Sequence, residues 1–370
     1  MKQMILLLVV SFLLASCDTS KSNYTITGKI EEGVELGDTL YLVTMQGQKP
    51  TVLSKSPVEH GAFEFEGFRS EPQFCSILSF AADGNIARNI DLFVEEGEIN
   101  VTVARKQTIV TGSNLNERLQ QFRDSVDIID ELRNIYIEKK RRPDISPAAQ
   151  READKAIHTT SLLYNRYVKE FIEKNISNPV SVYILVNNYS ALLPEAGLDI
   201  ISRMPAEVQC DPSVSAVAAI YRNMMYSAVG NRFIDVELLN IEGKAVSLSQ
   251  YAGKGTPLLL SFWSSSVASS LGDQKQLSAL AAEYDNRLSL VSVSIDSSHQ
   301  KWSDTVLHNE LSGIQLADLK GWNSAAVILY GVDLLPYYIL LDSNGTILMR
   351  TPSLQAVNEK MQLLNLKTYK

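Results

Sequence analysis

Serines crowd one junction of the 370-residue sequence, where Trp263-Ser264-Ser265-Ser266-Val267-Ala268-Ser269-Ser270-Leu271 follows the apolar run PLLLSF. A serine alcohol becomes a nucleophile only beside a base that a third group orients, with donors placed for the developing oxyanion. His60, His158, His299 and His308 are scattered along the chain, and no glycine-flanked nucleophile elbow surrounds Ser266 or Ser269. Serines at the start of a helix are more commonly caps that accept from free backbone N–H groups. His299 and His308 fall in or near a polar helical stretch and are expected to face solvent. No spacing of His, Cys, Asp or Glu suggests a metal site, and no glycine-rich loop suggests a phosphate site, so neither a metal nor a cofactor is expected. Two thiols remain. Cys75 lies in FCSILSF, a segment suited to a buried small hydrophobe, and Cys210 lies in the loop-like QCDP. Whether they are bonded to each other stays open at this level.

The elements that must hold these residues come in three textures. Residues 24–112 alternate with period two, in YTITGKI, DTLYLVTM, GAFEFEGF, FCSILSF, NIDLFVEE and EINVTV, which predicts an antiparallel sheet or sandwich. At Ser113-Asn114 the period changes, and Leu115, Leu119, Phe122, Val126, Ile129 and Leu132 share one helical stripe behind a polar cap. A second helix is predicted from Ser146-Pro147 through Ile157, Tyr164, Val168 and Phe171. Shorter helices, broken at Pro179, Pro194, Pro205 and Pro212, complete a helical region over 113–229. From 230 to 370, LLLSFW, a helix after Ser270, LVSVSID and a final hairpin turning at Asn344-Gly345 give an α/β domain. Pro336 stands at the start of an apolar strand, which implies a special turn there. The expected fold class is multi-domain α+β.

The start of the chain speaks to compartment. Lys2 precedes the apolar stretch Met4 to Leu14, too short to span a bilayer but suited to the core of a secretory signal over residues 1–16. Leu14-Ala15-Ser16-Cys17 resembles the lipobox of bacterial lipoproteins. The resemblance implies that Cys17 is diacylated and heads a tether, residues 17–23, that holds the protein on a membrane without spanning it. It further implies a lipoprotein facing the periplasm in the cell envelope of a Gram-negative-type bacterium, with inner or outer membrane undecided. A net charge of −8 gives no basic face for nucleic acid. The one basic run, Lys139 to Arg142, suits the solvated end of a helix before Pro143.

The stretch from about Val229 onward resembles the thioredoxin-like domains of envelope proteins, in the TlpA and AhpC/TSA branch. The likeness is carried by FIDVELLNIEGKAVSLSQYAGK, LLLSFW, LVSVSID and ADLKGWNSAAVILYGVDLLPYYILLDSNGTIL, and by Pro336 where the family has its cis-proline. Residues 24–112, with HGAFEFEGF and LFVEEGEINVTVARKQTIVTGS, resemble a β-rich domain of unknown function that precedes thioredoxin domains in many lipoproteins. The family's WASWCGPCR falls on Trp263 to Leu271, so its two cysteine positions are Val267 and Ser270. Asp273 keeps an acidic position of the family, and Lys275 replaces its helix-kinking proline. Thiol–disulfide exchange requires a thiolate, and peroxidase chemistry requires an attacking cysteine in the same region. Val267 has no nucleophile, and a helix dipole does not ionise the Ser270 alcohol near neutral pH. No catalytic residue is therefore expected. The resemblance implies a redox-inactive, lipid-anchored protein that binds a protein or peptide partner as an added strand, in a shallow groove expected to involve Trp263, Ser266, Leu335, Pro336 and Tyr337. Two alternatives stand beside it. One is a thiol–disulfide oxidoreductase or peroxidase-family enzyme acting through Cys75, Cys210 or a partner's thiols, and the other is a structural platform for the β module.

Overall fold

The computed structural model describes residues 22–46, 49–284 and 287–364, so Cys17 and the signal segment lie outside the described residues. Two compact units emerge, one of residues up to 163 with 178–180, the other of residues 164–177 with 181 onward. Among the described residues no helix is long and apolar enough to cross a membrane.

In the first unit the period-two segments form eight strands: β1 (Tyr24–Ile30), β2 (Thr39–Gln46), β3 (Lys49–Pro57), β4 (Ala62–Gly67), β5 (Gln73–Phe80), β6 (Ile86–Val94), β7 (Gly97–Val103) and β8 (Thr108–Thr111). They make two four-stranded sheets, ordered β4-β1-β7-β8 and β3-β2-β5-β6. Residues from both sheets, among them Ile26, Leu42, Phe63, Ile77, Leu92 and Val101, meet in one buried cluster, as the inner faces of a sandwich do. One pairing corrects the antiparallel expectation, because β1 runs parallel to β7 with Tyr24 opposite Gly97 and Ile30 opposite Val103. A tight hairpin imposes antiparallel pairing only on consecutive strands, and these two are separated by five strands, four of them in the other sheet.

Helix α1 (Asn114–Lys140) buries Leu115, Leu119, Phe122 and Ile129, following the predicted stripe until Leu132, which is exposed. Its amides finish two edge strands. Asn116 accepts from the Phe93 N–H at 2.9 Å and donates to the Phe93 carbonyl at 2.7 Å, while Gln120 accepts from the Val110 N–H at 3.0 Å. These contacts occupy backbone groups that an open sheet edge would offer to another chain. Helix α2 (Pro147–Lys174) gives residues 147–163 to the first unit and 164–174 to the second.

The chain continues as α3 (Pro179–Asn188), α4 (Pro194–Arg203), α5 (Ala206–Gln209) and α6 (Pro212–Tyr226). The prolines read as breaks open α3, α4 and α6 and cap α5, where the missing N–H removes no helical bond. Then follow β9 (Glu237–Asn240), β10 (Ala245–Ser247), β11 (Leu258–Trp263), α7 (Ala268–Glu283), β12 (Ser289–Ser294), α8 (His299–His308), β13 (Ile314–Ala317), α9 (Ala325–Tyr330), β14 (Tyr337–Leu341), β15 (Ile347–Thr351) and α10 (Leu354–Leu363). The strands form one sheet ordered β10-β9-β13-β12-β11-β14-β15. Every residue of the central β11 is buried, which is why its sequence is an apolar run without alternation.

Helix α6 packs against α9 of this unit. Arg350 on β15 donates to the carbonyls of Met224, Ser227, Tyr330 and Gly331 and to the Ser227 hydroxyl, with its guanidinium 5.8 Å from the centre of the Tyr337 ring. Gly331, at φ +57°, ends α9 so close to α6 that a Cβ would fall 2.5 Å from Met224 Cγ, and only glycine permits the approach.

Candidate functional site

Strand register assembles the site. β11 runs parallel to β12 with Trp263 opposite Ser294, and antiparallel to β14 with Phe262 opposite Tyr337. The residues after Trp263, those after Ser294 and those just before Tyr337 therefore come to one edge of the sheet. That edge lies at the carboxyl ends of parallel strands, where open α/β folds place their functional groups. The loop Ser264–Val267 leads there into α7, and the Leu335–Pro336 peptide is cis.

The serines are ordered by a carboxylate. Asp296, two residues beyond β12 and only 5% exposed, accepts from Ser264 Oγ at 2.7 Å, Ser265 Oγ at 3.0 Å and Ser294 Oγ at 2.8 Å. The Ser265 N–H is shared between its two oxygens at 3.2 and 3.1 Å. Ser264 Oγ in turn accepts from the Ser266 N–H at 3.2 Å. A buried carboxylate is tolerable only with such donors around it, and here they come from the loop and from the end of β12. Ser270 is fully buried, accepting from the Ser264 N–H at 2.9 Å and donating to the Ser264 carbonyl at 3.4 Å. Ser266 is exposed, and Lys301 Nζ donates to its hydroxyl at 2.7 Å. An amine that donates to an alcohol does not take its proton, so this contact is no nucleophile–base pair.

A second buried polar chain lies under α7. Gln274 donates to Ser261 Oγ at 2.7 Å and accepts from Ser292 Oγ at 2.8 Å, so one amide bridges β11 and β12. Asp273 accepts from the Tyr338 hydroxyl at 2.6 Å, and burial followed by that carboxylate pushes the phenol far above its ordinary range.

The expected groove residues separate into two groups. Ser266 is exposed, and Val267, Leu335, Pro336 and Tyr337 are half-buried, all at the edge just described. Trp263 is a correction: it is fully buried with Trp302, Val306, Leu311 and Ala317 and lines no groove. At the end of a strand buried on both faces there is no solvent side for the ring to take. His299 is also corrected, being half-buried against the Trp302 ring with its Nε2 3.0 Å from the Ile241 carbonyl, whereas His308 is exposed. Asp296 was missed, although an acidic residue closing the apolar run LVSVSI is the sequence signal for it.

Cys75 and Cys210 are free thiols. Cys75 is buried between the sheets of the first unit, and burial pushes its thiol up to about 11, with Arg69 and Thr44 opposing. Cys210 is exposed at the end of α5. Among the described residues no cluster of His, Cys, Asp and Glu could hold a metal ion.

Residues 24–119 match a domain of unknown function, DUF4369, and residues 229–351 match the AhpC/TSA family. Among solved structures, a thiol-disulfide oxidoreductase from Bacteroides fragilis is 27% identical over 36% of this chain and 99% of its own, with a TM-score of 0.34. The thioredoxin domain of a thiol-disulfide oxidoreductase from Bacteroides vulgatus is 20% identical over 37% of this chain and 97% of its own, with a TM-score of 0.34. No curated protein matches the chain. The chain thus carries an N-terminal DUF4369 domain followed by a C-terminal thioredoxin-like domain of the AhpC/TSA family.

Proposed function

We propose that the chain is a lipid-anchored envelope protein whose thioredoxin-like domain performs no thiol chemistry and binds an extended segment of a protein partner. The observation that carries this reading is the state of the two motif positions. Val267 at the head of α7 has no reactive atom, and Ser270 is sealed from solvent with its hydroxyl engaged by the Ser264 backbone. The Cys75 alternative is weakened by a buried thiol that stays protonated at neutral pH. What remains at the edge is a shape: Leu335, cis-Pro336 and Tyr337 at the start of β14, facing the loop before α7. An extended segment recognised there would gain main-chain hydrogen bonds from the strand end and contacts from the half-buried Tyr337 and Val267.

The test has two arms. Insulin reduction by the purified chain should stay at background, while the double change Val267→Cys and Ser270→Cys should form an internal disulfide and gain activity. A photo-crosslinking residue replacing Tyr337 should capture an envelope protein that the same residue at the exposed Lys275 does not. Disulfide reduction by the parent, or equal capture from both positions, would overturn the reading.

A further inference from the structure

A cavity of about 330 Å³ opens in the second unit, away from the serine loop. Its walls include Tyr189, Ile220 of α6, Trp322, Ile328 of α9, Val332 and Asp333. The size is that of a small ligand. We propose that this cavity binds an organic cation with a compact apolar body, an arylalkylammonium in chemical class, its charge beside Asp333 and its body against Trp322 and Tyr189.

Charge supplies the first argument. Among the described residues no cation lies within ion-pair distance of Asp333, and the guanidinium of Arg350 is engaged with the carbonyls of Met224, Ser227 and Tyr330. Burial raises the Asp333 carboxyl above its usual range, its own backbone N–H and Arg350 only partly opposing. A half-buried carboxylate without an ion-pair partner disfavours an anion and gains nothing from a neutral apolar guest, but a cation would complete it. Tyr189 and Asp333 line the same cavity, and the Tyr189 hydroxyl is raised by burial and then by the Asp333 charge. Aromatic walls supply the second argument. Ring faces attract cations, and Trp322 and Ile328, 51% and 47% exposed, leave apolar surface open to water that a guest would cover. The inference does not depend on whether the serine loop is redox-inactive.

Ligand-observed NMR titration of the purified full-length chain with phenethylammonium and with its neutral counterpart 2-phenylethanol tests it. Phenethylammonium should bind saturably and about tenfold more tightly than the alcohol. Asp333→Asn should remove that preference, and Trp322→Ala should weaken the cation about two- to fivefold. Equal affinity of the two probes for the parent needs no variant to fold, and it would overturn the proposal. So would absence of saturable cation binding, or a preference for the cation that survives Asp333→Asn.

Discussion

Replacing Asp296 tests whether one carboxylate orders the serine loop. Its Oδ1 accepts from Ser264 Oγ, Ser265 Oγ and the Ser265 N–H, and its Oδ2 from Ser294 Oγ and the same N–H. In Asp296→Ala the serine hydroxyls can turn toward other acceptors, but the Ser265 N–H cannot, and a pocket shaped for a carboxylate is left behind. One buried donor without a partner at about 1–3 kcal/mol, together with the lost charge-assisted hydrogen bonds and contacts, gives a cost of about 2–4 kcal/mol. Asp296→Asn should behave differently. Its carbonyl oxygen can take the Oδ1 set, and its NH2 can donate to Ser294 Oγ, whose hydrogen is free to rotate, so the cost should be about 1 kcal/mol. The three tryptophans, Trp263, Trp302 and Trp322, all lie in the second unit, so indole fluorescence during urea unfolding reports on that unit alone. With a urea slope of about 2 kcal/mol per molar, the alanine variant should lose about 1–2 M in midpoint and the asparagine variant about 0.5 M. An alanine midpoint within about 0.3 M of the parent, on that slope, would refute the idea that Asp296 holds the loop.

The remaining expectations concern thiols, the arginine fork and the anchor. At pH 8 a thiol reagent should modify Cys210 rapidly and Cys75 only after unfolding, as read by peptide mass spectrometry; equal rates would contradict the burial of Cys75. Because the Cys75 thiol is raised from 9.0 to about 11, the stability it lends the first unit is full below pH 9 and lost as pH rises through 11. Urea titrations followed by far-UV circular dichroism should show a decline on the order of 2 kcal/mol that Cys75→Ala lacks. Arg350→Met should strand several carbonyls and cost the second unit about 2–4 kcal/mol, with Arg350→Lys intermediate because an ammonium cannot fork; unchanged fluorescence midpoints would exclude this. Cys17→Ala should abolish acyl labelling and release the chain from the membrane fraction, and continued sedimentation with membranes would show that another feature anchors it.

Elements whose side-chain period differs from that of their neighbours were legible in the sequence. The change from period two to a helical stripe at Ser113 and the apolar β11 followed by α7 both stand as read. The parallel pairing of β1 with β7 was not, because a parallel and an antiparallel strand share the same alternation. Trp263 was misplaced for a related reason: a continuous apolar run does not say which side of the sheet a ring takes. Val267 and Ser270 could be found by position along the chain, but Asp296 joins them only through the β11–β12 register, across some thirty residues of sequence. Asp333 and Tyr189 are farther apart still, and only the packing of α6 against α9 brings their surroundings together.

The arginine fork bears on how this gene could be cut and rejoined. The AhpC/TSA match begins at residue 229, yet Arg350 reaches the carbonyls of Met224 and Ser227 upstream of that boundary. A fragment begun at the boundary would keep the guanidinium and discard three of its five receptors, and the notch at Gly331 that receives Met224 would open onto water. Grafting a cysteine-bearing relative onto this scaffold, or moving this domain to another protein, would therefore require α6 to travel with the sheet, its seam placed before Pro212.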